Sequence, residues 1–269
     1  DPTGTYTVVY GAGAHGSLKG RTTLTLDAGT VLTAAMIPTP VPEEGYVFSK
    51  WAPVNPEGHM MIADVAFVAL FAKDGGSCDG GDDCPTGQFT DVNQNRWYHQ
   101  ALDYMVSNRL MMGTSDTTFS PDGVATRAMI TTILYRLEGC PAVENSGAFT
   151  DVAQGAWYSE AVNWAAEKSL VEGYGNGQYR PNGKLTREQI IVILYRYAGY
   201  KMADTTARAE LKGFADAGRV SSWAEEAMQW AVAEGLMTGI ANGDSLNLAP
   251  QKAATRAELA AFLMRFLEQ

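Results

Sequence analysis

The 269-residue sequence predicts a multidomain protein, in which a small, mostly β module is followed by an all-α repeat region. Three observations predict it. The first 73 residues alternate β-branched with polar residues, residues 74–88 are rich in Gly and Asp, and a unit of about 50–60 residues then recurs three times. We therefore expect five segments, at residues 1–73, 74–88, 89–148, 149–213 and 214–269.

The N-terminal module is predicted to consist of strands. Alternation is clear in TYTVVY and TTLTLD, EEGYVFSKWA is a further aromatic strand, and MIADVAFVALFA is a longer β-like run that ends the module. Between them, AGTVLTAAM is either a short helix or a turn. The opening DPTGTYTVVY lacks the basic and apolar regions of a signal peptide.

The segment at residues 74–88, DGGSCDGGDDCPTGQ, has the composition of a solvated linker. Cys78 and Cys84 could close a small disulfide loop, which leaves Cys140 alone. No histidine lies near this pair in the sequence, so no zinc site is predicted. The acidic residues also lack the alternating ligands, central Gly and final Glu of a calcium-binding loop.

The repeat unit opens with FTDVNQNRWYHQALDYM, which returns as FTDVAQGAWYSEAVNWA and FADAGRVSSWAEEAMQWA. The positions shared by the three copies are Phe89, Phe149 and Phe214, then Asp91, Asp151 and Asp216, then Trp97, Trp157 and Trp223. Each Trp starts an apolar stripe at helical spacing. This first helix is expected to end at Gly113, Gly173 or Gly239. A second apolar helix follows, and since one helix pair cannot bury its own stripe, the three units should pack together.

The second helix of each unit begins with Thr-Arg, in PDGVATRAMI, PNGKLTREQI and PQKAATRAEL. The predicted N-caps are Thr126, Thr186 and Thr255. Gln189 and Glu258 complete a capping box with the second and third of these residues. Met129 occupies that position in the first unit, so Thr126 is expected to keep the cap without the reciprocal bond.

The arginines that follow, Arg127, Arg187 and Arg256, stand in the first helical turn, where the helix dipole disfavours a cation. Each should therefore meet an anion, and two candidates stay open. One is an internal carboxylate, such as the Asp of the Phe-x-Asp stretch. The other is an anionic ligand held by the Arg and by free N–H groups at the helix start.

Two further sets of repeated residues are interpreted in the same way. The Trp residues are either core residues or an aromatic floor for a sugar ring, which a flat apolar indole suits. Arg136, Arg196 and Arg265 recur nine residues after the Thr-Arg arginines and are predicted to be structural or solvent-facing.

The net charge of −10 argues against binding to nucleic acid or to an anionic membrane surface, and no stretch is long and apolar enough for membrane insertion. His15, His59 and His99 have no triad or metal spacing, and no nucleotide-binding fingerprint is present. The sequence therefore predicts a protein that is not an enzyme, with no cofactor and no metal.

Residues 89–269 resemble three consecutive S-layer homology domains. The marks are the FTDV starts, the WY or WA before the first helix, the loop GYGNGQYRP, and TRAM, TREQ and TRAE. The resemblance implies a pseudo-trimer with a central three-helix bundle, helical spokes and internal pseudo-threefold symmetry in a monomer. It implies binding of an anionic secondary cell-wall polysaccharide, often through pyruvylated N-acetylmannosamine, in grooves between units. The implied ligand-binding residues are Arg127, Arg187 and Arg256, with Asp91, Asp151, Asp216, Trp97, Trp157 and Trp223.

The first 73 residues more loosely resemble an internalin-type B-repeat (Listeria–Bacteroides repeat), a β-grasp-like module, through YTVVYGAGAHGSLKG and GYVFSKWA. In such modules Tyr46, Phe48 and Trp51 are expected to pack rather than bind. The two resemblances together imply a non-catalytic anchor in the cell wall or S-layer of a bacterium, typically Gram-positive. The alternative is an adhesin that binds a host or neighbouring surface protein through its β module or exposed repeat surface.

Overall fold

A computed structural model of the protein describes residues 4–53, 55–73, 84–143, 147–243 and 245–268. The chain forms two compact units. One comprises Asp1–Ser120, Arg136–Pro141 and Leu267–Gln269, and the other Pro121–Tyr135 and Ala142–Phe266. None of the helices in the described residues is long and apolar enough to cross a membrane.

The N-terminal part of the first unit is a β structure. Its strands are β1 (Thr5–Ala12), β2 (Gly16–Lys19), β3 (Thr23–Asp27), β4 (Thr39–Pro42), β5 (Tyr46–Ala52) and β6 (Val65–Lys73). Four of them form a sheet in the order β3-β1-β6-β5, in which only β1 and β6 run parallel. Strands β2 and β4 form a separate antiparallel pair. The segment AGTVLTAAM supplies one turn of 3-10 helix, Ala34–Met36.

One face of the sheet carries the core of this module. Alternate residues of β1, Val8 and Tyr10, are buried together with Phe67 and Phe71 of β6 because successive side chains of a strand point to opposite faces. The ring of Tyr10 meets Trp51 edge-on at 5.6 Å. The predicted strands are therefore present, whereas the relationship to B-repeats stays a prediction.

The three aromatic residues expected to pack in this module differ in their surroundings. Trp51 belongs to the core. Phe48 is 36% exposed, although its ring contacts Trp51 at 5.9 Å. Tyr46 stacks on His15 with ring centroids 4.0 Å apart.

The repeat region contains three pairs of helices. The first members are α1 (His99–Ser107), α3 (Ser159–Glu167) and α5 (Glu225–Ala233), and the second members are α2 (Arg127–Leu137), α4 (Arg187–Tyr200) and α6 (Arg256–Leu267). The third repeat also has a short hairpin, β7 (Ile240–Asn242) and β8 (Ser245–Asn247). The region is thus not purely helical, and the three-helix pseudo-trimer stays a prediction.

The first helix of each repeat ends six residues before the glycine at which its end was predicted, so that prediction is wrong. The chain leaves each helix at a residue with a left-handed backbone, which is a common way to end a helix. These residues are Arg109, Ser169 and Gly235, with φ values of 55°, 56° and 70°. Only the third is a glycine, so residue type alone does not reveal where these helices end.

The glycines themselves serve tertiary packing. A Cβ on Gly173 would lie 2.7 Å from Cε1 of Phe149, the residue that opens the same repeat. The same holds for Gly113 against Phe89 at 2.5 Å and for Gly239 against Phe214 at 2.8 Å. The Phe and Gly signatures of the repeat are therefore the two halves of one contact.

The loops before the second helices are joined in a closed cycle of backbone hydrogen bonds. Ala125 N–H donates to the carbonyl of Ala254 (2.9 Å), Ala254 N–H donates to Leu185 (2.9 Å), and Leu185 N–H donates to Ala125 (3.0 Å). Each repeat gives one such bond and receives one, so the three loops are mutually dependent.

The predicted disulfide joins Cys78 to Cys84, and Cys78 lies outside the described residues. Of the two described cysteines, Cys84 is a buried thiol and Cys140 is an exposed thiol. The disulfide stays a prediction.

Candidate ligand-binding groove

The second helices begin where the Thr-Arg motif predicts, but their caps differ. Thr186 Oγ1 accepts from Gln189 N–H at 3.3 Å, and Gln189 Oε1 accepts from Thr186 N–H at 3.1 Å. Thr255 and Glu258 form the same capping box. Thr126 Oγ1 is buried without a hydrogen-bond partner, so the expectation that the first repeat keeps its cap is wrong.

Replacing Met129 with glutamate is expected to raise the free energy of unfolding by about 1 kcal/mol, the usual contribution of a cap. The new carboxylate would accept from Thr126 N–H and let the Thr126 hydroxyl take up its capping role. It would also lie near Arg256, because Met129 Sδ is 3.6 Å from Arg256 Nη1. Thermal unfolding measures the gain.

Met129→Leu is the matched control, since it changes the same position without supplying an acceptor. A glutamate variant no more stable than the leucine variant would contradict this account of the cap.

The N–H groups at the start of the second helices are not free. Arg127 N–H donates to Gly183 O (3.1 Å) and Ala128 N–H to Pro181 O (2.9 Å). Arg187, Glu188, Arg256 and Ala257 make the equivalent bonds, to Lys252, Pro250, Gly123 and Pro121. The carbonyls of a neighbouring repeat thus occupy the places expected for an anion, and this part of the ligand hypothesis is wrong.

The side chain of Arg127 ties two repeats together. Its Nε donates to Tyr179 O and its Nη2 to Glu172 O, both at 2.8 Å. The guanidinium lies 4.4 Å from the ring centroid of Tyr179, whose hydroxyl donates back to Arg127 O. Among the described residues no hydrogen-bond acceptor is found for Nη1 of Arg127, so this nitrogen can donate to a ligand.

Arg187 repeats this arrangement one unit further along the chain. Its Nε donates to Leu248 O at 2.9 Å, its Nη2 lies 3.1 Å from Met237 Sδ, and its Nη1 lies 3.5 Å from Glu258 Oε1. Burial lowers the pKa of Arg187, and Glu258 opposes that shift. The partner of this buried cation is therefore the capping Glu of the next repeat. Arg256 is also buried, with 6% of its surface exposed.

The carboxylate of each Phe-x-Asp stretch accepts hydrogen bonds from the backbone of the loop in its own repeat. Asp151 accepts from Tyr179 N–H (2.7 Å) and Arg180 N–H (2.8 Å). Asp91 does the same with Phe119 and Ser120, and Asp216 with Leu248 and Ala249. These contacts are to backbone N–H groups rather than to Arg127 or Arg187. A role for the Asp residues as ligand contacts stays a prediction.

The repeated Trp residues lie on the surface. Trp97, Trp157 and Trp223 are 61%, 61% and 57% exposed and precede the first helices by two residues, so they are not part of the helical stripe. The core interpretation is therefore wrong for all three. Other aromatic residues of the stripe, Trp164 and Trp230, are the buried ones.

One groove in the second unit is lined by an arginine of the Thr-Arg motif, by an arginine nine residues after that motif, and by one of the exposed Trp residues. Its lining residues are Arg127, Val171, Glu172, Gln189, Val192, Ile193, Arg196 and Trp223. We call it the Arg196 groove. It has a volume of about 120 Å³ and combines an apolar floor with an indole and two guanidinium groups.

The three arginines nine residues after the Thr-Arg motif agree with the predicted structural or solvent-facing role, but Arg196 also lines the groove. Arg136 and Arg265 each donate to a leucine carbonyl, Leu110 O (2.9 Å) and Leu236 O (3.3 Å), as structural residues do. Arg196 instead pairs with Glu172 at 2.8 Å, and its side chain is 34% exposed. Since Arg127 and Arg196 face a single carboxylate in the lining, the groove has a net charge of +1 (two cations and one anion).

Comparison with known families identifies the repeats. Residues 88–128, 148–191 and 213–260 match the S-layer homology domain. Residues 88–260 contain three S-layer homology (SLH) domains. Each matched segment contains one Phe-x-Asp stretch and one Thr-Arg helix start.

Several curated proteins are similar to about two thirds of this chain. An amylopullulanase of Thermoanaerobacterium thermosulfurigenes is 35% identical over 185 residues, which is 67% of this chain and 10% of the relative. Exoglucanase XynX of Acetivibrio thermocellus is 34% identical, covering 67% of this chain and 16% of the relative. The surface-layer 125 kDa protein of Lysinibacillus sphaericus is 29% identical, covering 67% and 15%. The chain thus spans less than a fifth of the length of these relatives.

The SLH domains and the surface-layer relatives support a cell-wall-anchoring protein of the bacterial surface. They indicate a non-catalytic role for the matched region, because it corresponds to only a small part of the enzymes among the relatives.

Proposed function

We propose that the SLH domains bind an anionic secondary cell-wall polysaccharide, and that the Arg196 groove is one of the binding sites. The observation that carries the proposal is the convergence of two guanidinium groups and one exposed indole on a single groove. A pyruvylated sugar offers the matching features, a carboxylate and an apolar ring face.

The carboxylate would be bound by arginine. Arg196 lines the groove, and the one side-chain partner found for it among the described residues is Glu172, whose side chain is 75% exposed. Such a pair stabilises a protein weakly, so a ligand carboxylate can displace Glu172 at little cost. Nη1 of Arg127 supplies further donors from a fixed position, and paired N–H donors suit a carboxylate.

The sugar ring would be bound by the indole of Trp223, which is 57% exposed and lines the groove. A surface indole of this size is an apolar platform for a sugar face. Val192 and Ile193 of helix α4 are buried and line the same groove. The indole would therefore bind the apolar face of the sugar ring, and the arginines would bind the carboxylate of the ligand.

Calorimetric titration with pyruvylated N-acetylmannosamine tests the proposal. Arg196→Ala and Trp223→Ala should each weaken binding about tenfold, equivalent to about 1.4 kcal/mol. Trp223 is exposed and the side chain of Arg196 is 34% exposed, and circular dichroism of each variant checks that it is folded. N-acetylmannosamine without the pyruvyl group should bind the unmodified chain weakly, because it lacks the carboxylate.

Arg208→Ala is the matched control. Arg208 forms an exposed ion pair with Glu226, like the pair of Arg196 with Glu172, but it does not line the groove. Equal binding by all three variants, or equal binding of both sugars, would contradict a role for the Arg196 groove.

A further inference from the structure

We propose that Cys84, His99 and Asp103 form a binding site for a divalent transition-metal ion such as Zn²⁺. These residues (the Cys84 cluster) lie in the first unit, outside the groove, and the proposal is independent of the one above. Each residue is buried, with 7%, 4% and 8% of its surface exposed. One ligand atom from each lies within 4.8 Å of the others.

The spacing of the donor atoms fits a tetrahedral ion. Cys84 Sγ is 3.1 Å from His99 Nε2 and 3.8 Å from Asp103 Oδ2, and Nε2 is 3.3 Å from Oδ2. Zinc bonds of about 2.3 Å to sulfur and about 2.0–2.1 Å to nitrogen and oxygen place tetrahedral ligands about 3.3–3.6 Å apart. The three atoms therefore mark one face of a tetrahedron.

The three donor groups converge on one point. Both the thiol sulfur and the carboxylate approach the same ring nitrogen, Nε2 of His99, and Cys84 Sγ is also 3.4 Å from Asp103 Oδ1. An ion in the centre would be bound by all three side chains. Sulfur, imidazole and carboxylate together are ligands that Zn²⁺ accepts.

The same geometry argues against a nucleophilic cysteine. In a cysteine–histidine–aspartate triad the two ring nitrogens of histidine face different partners, one the nucleophile and one the carboxylate. Here both partners face Nε2. A convergent arrangement of this kind suits metal binding and does not suit proton transfer along a chain.

A supporting residue holds the carboxylate. Asp103 Oδ1 accepts from Thr86 Oγ1 at 2.7 Å and from Thr86 N–H at 3.2 Å. This leaves Oδ2 directed at His99 and fixes the carboxylate, as residues around metal ligands commonly do. Part of the arrangement is shared between repeats, since Asn163 Oδ1, at the equivalent position, accepts from Ala148 N–H.

Cys84 lies before the first SLH match, which begins at residue 88, and His99 has no counterpart in the other two repeats. The positions of His99 and Asp103 in α1 are taken by Ser159 and Asn163 in α3, and by Glu225 and Gln229 in α5. The architecture of the SLH domain thus accounts for a polar residue at position 103, but not for a buried His and Cys beside it. A bound ion accounts for both and would connect Cys84 to the first helix of the first SLH domain.

Metal binding by the full chain tests the proposal. After treatment with a chelator, titration with Zn²⁺ should show one ion bound per chain, with release of the Cys84 proton. Titration with Co²⁺ should give a thiolate-to-cobalt charge-transfer band in the near ultraviolet. Cys84→Ser should abolish the band, and His99→Ala should weaken binding at least about 100-fold.

Cys140→Ser is the control, because Cys140 is an exposed thiol outside the cluster. It should leave the band and the stoichiometry unchanged. A folded, unmodified chain that binds neither ion, or a band that survives Cys84→Ser, would overturn the proposal without reliance on the folding of any variant.

Discussion

Arg187→Ala is expected to lower the free energy of unfolding by about 3 kcal/mol, as is typical when one member of a buried ion pair is removed. The substitution leaves Leu248 O without its donor and Glu258 without its buried cation. It also removes the contact of the guanidinium with the ring of Phe262. Urea unfolding, followed by circular dichroism, measures the loss as a shift of the midpoint.

Arg196→Ala is the matched control for this result. The same type of residue is removed from the same repeat, but its partner Glu172 is largely exposed, so the change in stability should stay within about 0.5 kcal/mol. Equal losses for the two variants would show that burial of Arg187 does not decide its contribution. The two variants also separate two roles. Arg187→Ala measures a contribution to stability, whereas Arg196→Ala measures a contribution to ligand binding.

Gly173→Ala is expected to destabilise the protein by about 2 kcal/mol, in the range for inserting a methyl group into a packed site. The new Cβ would lie 2.7 Å from Phe149 Cε1 and 2.8 Å from Gln178 O. The ring of Phe149 cannot retreat freely, because it packs against Tyr179 with centroids 5.2 Å apart. Thermal and urea unfolding both measure this loss.

Gly199→Ala provides a control of the opposite sign. Gly199 lies in helix α4, and a Cβ there would have no atom within 4 Å. Because alanine favours a helix over glycine by up to about 1 kcal/mol, this variant should be slightly more stable than the unmodified chain. If both substitutions changed stability in the same direction, the packing explanation for Gly173 would be wrong.

Local signals in the sequence predict part of this structure well. The starts of the second helices follow from Thr-Arg, and the two complete capping boxes follow from the residue three positions later. The cap of Thr126, predicted from the same rule, is absent, since its hydroxyl is buried without a hydrogen-bond partner. The two caps that form are those in which Gln189 or Glu258 completes the box.

Features that depend on distant contacts could not be predicted locally. Gly113, Gly173 and Gly239 look like helix ends, but each is required by a phenylalanine 24 or 25 positions earlier. Arg136, Arg196 and Arg265 are the same residue at equivalent positions, and only packing distinguishes the one that reaches a groove.

The Cys84 cluster was missed for a different reason. Cys84 and His99 are 15 positions apart, so a search near the cysteine does not find the histidine. The spacing of His99 and Asp103 by four residues was the available signal, since it places both on one face of α1.

The closed cycle formed by Ala125, Leu185 and Ala254 makes the number of repeats a property of the fold. In an open array of repeats, the copies at the two ends have only one neighbour and can be added or lost one at a time. In a closed cycle no copy is terminal, and removal of one would leave a donor and an acceptor unpaired in the other two. The three repeats therefore form one closed set, in which each copy depends on the other two.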